Sequence, residues 1–164
     1  MKQTVRAIGC LLAALCLLTG CGAADAYPEG NTIACKDLLF TVPGDFIDLS
    51  AEGIDADADF LFGRDTLVFK GMAEYKQDLS PMTLEEYTAR VISGNQLSCT
   101  PQSSGSGYIF SYEAPVADTV YTYTTATFEG ASCFWILQFY CPSKNLTENQ
   151  PEIDIILEGI QPAA

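Results

Sequence analysis

The chain has 164 residues, no histidine, seven cysteines and a formal charge of −13, from 8 basic and 21 acidic side chains. So acidic a chain repels the nucleic-acid backbone and anionic lipid headgroups, which excludes nucleic-acid binding. The missing imidazole excludes Ser-His-Asp and Cys-His nucleophiles, whose attacking atom needs a ring nitrogen beside it.

Residues 1–20 read as a secretory signal. Lys2 and Arg6 supply a positive start, and Ala7 to Gly20 is an uncharged run of 14 residues rich in Leu and Ala. That is short of the ~20 residues that span a bilayer. The run ends in Leu18-Thr19-Gly20-Cys21. This stretch resembles the lipobox of bacterial lipoproteins: an aliphatic residue, a small residue, Gly or Ala, then Cys. The resemblance implies that the Cys21 thiol carries a diacylglyceryl group and that cleavage before it frees its amine. Buried acyl chain contributes about 0.8 kcal/mol per CH₂, and two chains anchor stably where one does not. It also implies a lipid-anchored protein on the extracytoplasmic face of the cell membrane.

Removing residues 1–20 leaves 144 residues, with 6 basic side chains against all 21 acidic ones, a charge of −15. That length suits a single domain with a proper core. Residues 21–34 are read as the lipidated cysteine and a tether, since Gly22 to Thr32 (GAADAYPEGNT) is small and polar. A flexible segment of this length spans ~18 Å. Residues 35–162 are read as the domain.

Of the cysteines, Cys10 and Cys16 leave with the signal and Cys21 takes the lipid. Cys35, Cys99, Cys133 and Cys141 remain. Two disulfides, in any of three connectivities, and four buried free thiols both fit. Cys133 and Cys141 fall in one predicted strand, about 27 Å apart at ~3.4 Å per residue, so they cannot pair with each other while it holds.

Lys36 to Val42 (KDLLFTV) is an apolar run ended by the turn signal Pro43-Gly44, with Phe46-Ile47 as an apolar return. Ala51 to Asp59 is an acidic loop. Phe60 to Gly63 and Thr66 to Tyr75 form two strands around Arg64-Asp65, with Gly71 marking a bulge or a close backbone approach. Thr83-Leu-Glu-Glu86 has capping-box form and opens a helix to Ser93, with Leu84, Tyr87 and Val91 on one stripe and Gly94 as a left-handed stop. A weak strand over Gln96 to Thr100, a loop over Pro101 to Gly107 and a strand over Tyr108 to Glu113 follow. Thr119 to Phe128 and Ser132 to Cys141 form a long hairpin, whose second strand is apolar on both sides and so reads as central. A last helix over Pro151 to Leu157 buries Ile153, Ile156, Leu157 and Ile160.

These elements make one α+β domain, a mainly antiparallel sheet with flanking helices. Their order, from Phe40-Thr-Val-Pro-Gly-Asp-Phe46 through Thr83-Leu-Glu-Glu-Tyr87 and the aromatic hairpin to Ile155-Ile-Leu-Glu-Gly-Ile160, resembles the Mog1/PsbP-like fold of small bacterial lipoproteins of the DcrB type. The resemblance implies an α/β/α sandwich and an accessory or protein-binding role. It transfers no functional residues.

Chemistry has little to stand on. No Ser-x-x-Lys, nucleophile elbow or phosphate loop occurs, and no C-x-x-C pair supports zinc. Asp55, Asp57 and Asp59 alternate along a loop and could converge on a hard cation such as Ca²⁺, although Phe60 and Thr66 stand where an EF-hand needs Gly and Glu. A solvated acidic loop is the other reading. Tyr108, Tyr112, Tyr121, Tyr123, Trp135 and Tyr140 either fill covered sheet faces or line a surface for a partner. The expectation is a non-catalytic, cofactor-free binding or accessory module for an envelope protein. A receptor for a small ligand or for calcium is the alternative.

Overall fold

The computed structural model describes residues 30–162. The segments read as signal, lipobox with Cys21 and tether up to residue 29 lie outside the described residues. Ten strands and two α-helices follow in the order β1 (Asn31–Cys35), β2 (Leu38–Val42), β3 (Ile47–Asp48), β4 (Phe60–Arg64), β5 (Leu67–Tyr75), α1 (Leu84–Gly94), β6 (Gln102–Ser104), β7 (Gly107–Val116), β8 (Thr119–Glu129), β9 (Cys133–Pro142), α2 (Leu146–Glu158) and β10 (Gln161–Pro162). The main sheet has seven antiparallel strands in the order β3-β4-β5-β9-β8-β7-β6, and a small sheet is ordered β1-β2-β10.

The predicted hairpin is present, and its second strand occupies the middle of the main sheet. Cys133, Trp135, Leu137, Phe139 and Cys141 of β9 point into the core. There they meet Leu38, Phe40 and Val42 of β2, Phe60 and Phe62 of β4, and Ile153 and Ile156 of α2. The small sheet and α2 therefore cover one face of the main sheet, and α1 lies on the other, stacking Tyr87 on Phe134. The result is the expected α+β architecture. Gly71 marks a close approach without a bulge: it pairs with Phe60, and a Cβ there would sit 2.2 Å from the Phe60 ring.

Several expectations shift. β1 begins at Asn31, inside the segment read as tether, because an exposed edge strand needs only Ile33 and Cys35 as inward contacts and gives little apolar signal. Gln96 to Thr100 forms no strand. A short strand lies instead at Gln102–Ser104, within the predicted loop. Gly94 stays helical, and the left-handed residue is Gln96, at φ 55°. Leu97 N–H reaches Ile92 O at 3.0 Å and Gln96 N–H reaches Ser93 O at 3.0 Å, the two bonds of a Schellman close. The capping box at Thr83 and Glu86 forms as predicted. The last helix starts five residues before Pro151, which lies inside it and costs one helical hydrogen bond.

Two polar clusters tie the layers. Asp37, in the two-residue turn after β1, accepts from Ser132 N–H at 2.6 Å, Ser132 Oγ at 2.9 Å, Cys133 N–H at 3.0 Å and Trp135 Nε1 at 2.7 Å. Burial opposes its ionisation, yet these bonds prevail and hold its carboxyl below the usual carboxylate range. Gly130 is required beside it, since a Cβ there would meet the carboxylate at 2.6 Å. On α2, the buried Glu152 pairs with Arg64, which also reaches Asp45 at 2.8 Å. Burial pushes the Glu152 carboxyl up against the pull of Arg64.

Asp37→Ala leaves the Trp135 indole and two backbone amides without their acceptor, so it is expected to lower stability by about 2–4 kcal/mol in urea unfolding at pH 7. A folded-state pKa below 3.8 means this contribution is complete above that value and is lost as pH falls through the lowered one. The gap between variant and wild type should therefore narrow as unfolding is measured at increasingly acid pH.

Candidate functional site

The strand period places every second residue of β7, β8 and β9 on the face opposite the core. Near the Phe134 end α1 covers that face, held by the Tyr87–Phe134 stack (centroids 4.5 Å apart) and by the buried Thr88–Thr127 hydroxyl pair at 2.7 Å. The helix stops at Gly94, and among the described residues no other helix lies over the remainder. Registers Tyr112↔Tyr123 and Tyr123↔Tyr140 put three tyrosines side by side there. Their rings stack, Tyr112 on Tyr123 at 5.0 Å and 4°, Tyr123 on Tyr140 at 5.5 Å and 27°. All three are half-buried.

Beside this ridge, Gln138 donates to the Tyr112 hydroxyl at 3.0 Å and to Thr125 Oγ1 at 3.3 Å. Its cross-strand partner Lys70 pairs with Asp55 at 2.6 Å. A recess of about 230 Å³ separates the ridge from the end of α1, with Met72, Leu97 and Ile136 among its walls. Burial pushes the hydroxyls of Tyr112, Tyr123 and Tyr140 up, so all three stay protonated and can donate. The rings are stacked on each other, and the Tyr112 hydroxyl is turned toward Gln138. Flat aromatic faces, the usual platform for stacking a base, are largely taken up within the ridge.

The other aromatic candidates separate from this set. Trp135 is fully buried in the core. Tyr108 lies near the start of α1, and Tyr121 is half-buried farther along β8.

The three loop aspartates do not converge. Asp55 closes on Lys70, and that hydrogen bond holds its carboxyl below the usual range despite partial burial. Asp59 closes on Lys36 at 2.5 Å and accepts from Ala73 N–H at 2.7 Å. Asp57 donates its backbone N–H to Asp55 at 3.3 Å. Among the described residues no three His, Cys, Asp or Glu side chains gather as a metal site.

Cys35, Cys99, Cys133 and Cys141 are free thiols, the last two buried within the unbroken β9. Burial pushes the Cys35, Cys99 and Cys141 thiols up, which keeps them protonated and poor nucleophiles.

Lys70 and Gln138 were not singled out in the sequence. Each is a lone polar residue in an apolar strand run, LVFKGM and WILQFY, and that interruption is the signal that marks them.

Against known proteins, no family model matches the sequence and no curated protein matches it. Solved structures do share the fold. A protein of Bacteroides thetaiotaomicron aligns at TM-score 0.59 and 12% identity over 84% of this chain, which spans only 49% of that structure. Cyanobacterial PsbP (CyanoP) of Synechocystis aligns at TM-score 0.56 and 11% identity, covering 87% of this chain and 96% of that one. LpqN of Mycobacterium tuberculosis, described as involved in cell envelope biogenesis, aligns at 0.52 and 8% identity, covering 83% and 91%. The domain has the PsbP/Mog1-like α+β fold. At these identities the likeness reaches no further than the fold.

With Asp55 and Asp59 each closed on its own lysine, millimolar Ca²⁺ is expected to leave the melting temperature unchanged in differential scanning calorimetry. A calcium-dependent rise would show that the loop can rearrange into a site.

Proposed function

We propose that the chain is a membrane-anchored extracytoplasmic lipoprotein whose PsbP-like domain works without catalysis, as a binding or accessory module for another envelope protein. The observation that carries this reading is the stacked Tyr112–Tyr123–Tyr140 ridge on a sheet face that α1 leaves unroofed. Tyrosines are enriched at protein interfaces because a rigid ring buries apolar area while its hydroxyl finds a polar partner. Here three such rings are fixed in place by one another and by Gln138, so little side-chain entropy remains to be lost on docking.

The lipobox Leu18 to Cys21 supports the anchor. The absence of histidine and the protonated thiols support a role without catalysis. The fold shared with CyanoP and with LpqN, whose description names cell envelope biogenesis, is compatible with an accessory role in the envelope.

A photo-crosslinking residue at Tyr123, in intact host cells, is expected to capture one recurrent envelope protein. The same residue at Glu85, on the exposed side of α1, should not. Scattered abundant neighbours from both positions would overturn the partner reading. Cys21→Ser is expected to abolish labelling by palmitate and to leave the signal uncleaved or release the protein. A wild-type protein that takes up no fatty acid would overturn the anchor.

A further inference from the structure

At the end of the domain away from the tyrosine ridge, the β6–β7 turn and the last turns of α2 enclose a cavity of about 430 Å³. That lies within the ~300–1,000 Å³ of small-molecule sites. Its floor is apolar: Ile109 of β7, Phe128 of β8, and Leu157 and Ile160 from the end of α2. These four belong to the core or pack directly against it, so the floor is held in place without a ligand. A smaller recess shares Phe128 and Ile160 and extends the apolar floor to Leu38.

The rim is anionic. Asp154 and Glu158 stand one helical turn apart on the exposed side of α2, and no lysine or arginine lines the cavity. Like charges at this spacing repel by a few tenths of a kcal/mol. Both also sit at the helix C-terminus, where the macrodipole is negative, and the last turn carries no basic residue to offset it.

Among the described residues no cation reaches either carboxylate, although Lys and Arg are drawn to others in the chain. Asp45, Asp55, Asp59, Glu129 and Glu152 each meet a lysine or arginine. Asp154 has only the Gln150 amide, at 2.8 Å, and no ion pair forms with Glu158 among the described residues. The missing charge is positive, and the floor beneath it is apolar.

We propose that this cavity binds a small organic ammonium ion, an alkyl- or arylamine, with its apolar body on Phe128 and Leu157 and its charged nitrogen between Asp154 and Glu158. A bare metal cation does not suit the site, because only two carboxylates line it and among the described residues no three His, Cys, Asp or Glu side chains gather to hold a metal. The proposal is independent of the tyrosine ridge, so either can fail without the other.

Equilibrium dialysis of the full chain against phenethylamine, with the neutral 2-phenylethanol as its isostere, tests it. The amine is expected to bind saturably and at least about tenfold tighter than the alcohol. The double variant Asp154→Asn/Glu158→Gln should weaken amine binding by about tenfold or more, a change of ~1.4 kcal/mol or more. Both positions are exposed, so the variant keeps its fold. The control Asp118→Asn/Glu148→Gln makes the same charge change away from the cavity and should bind the amine as wild type does. No saturable amine binding, equal binding of alcohol and amine, or equal losses in both double variants would each overturn the proposal.

Discussion

The fold depends on a single carboxylate. Asp37 takes four hydrogen bonds from the start of β9, including the indole of the fully buried Trp135. It thereby locks the β1–β2 turn of the small sheet onto the β8–β9 turn of the main one. The turn that presents it holds Lys36 at φ 51°, a left-handed conformation costing roughly 1–2 kcal/mol for a residue with a Cβ. The carboxylate bonds offset that strain. Gly130 must then be glycine, because its missing Cβ is the space that the Asp37 carboxylate fills. Once this corner is set, β2 lies over the main sheet with Leu38, Phe40 and Val42 facing β9, and the aromatic core can close.

That closure makes the two faces of the main sheet unequal. The core face is covered by the small sheet and α2, so its β9 residues are buried from end to end. The other face has only the 11 residues of α1, roughly 16 Å of helix at 1.5 Å per residue, against a strand of ten residues that spans about twice that length. Tyr112, Tyr123, Gln138 and Tyr140 occupy the uncovered length. Their partial exposure follows from the shortness of one helix, and the tyrosines meet it by covering one another.

Local chemistry accounts for what could be read ahead of the structure. The β8–β9 hairpin announces itself through dense Thr, Tyr, Phe and Trp around Glu129-Gly130, and α1 through its capping box. Both signals lie within a few residues of the element they specify. β1 was missed because its polar start is an exposed edge, and α2 began too late because Pro151 interrupts the pattern that marks a helix. The site was less legible than the fold. Three tyrosines in two strands can be seen in the sequence, but their stacking depends on registers fixed across β7, β8 and β9 together. Asp37 is 95 residues from Ser132. Nothing local to a Lys-Asp dipeptide indicates an acceptor for an indole that far along the chain. The loop aspartates differ in the opposite way, since a compact local pattern there is pulled apart by Lys36 from the β1–β2 turn and Lys70 from β5.

Charge allocation connects these features. Of the six basic residues after residue 20, Lys36, Arg64, Lys70 and Lys76 are engaged in ion pairs that tie turns and helices to the sheet. Only Arg90 and Lys144 remain outside that set. Four of these six cationic charges are thus used internally, and the surface is left with a strong anionic surplus. Surface pairs of this kind contribute only about 0–1 kcal/mol each, so their larger effect is on the field outside the molecule. Such a field repels anionic lipid headgroups. It also favours partners that bring positive charge.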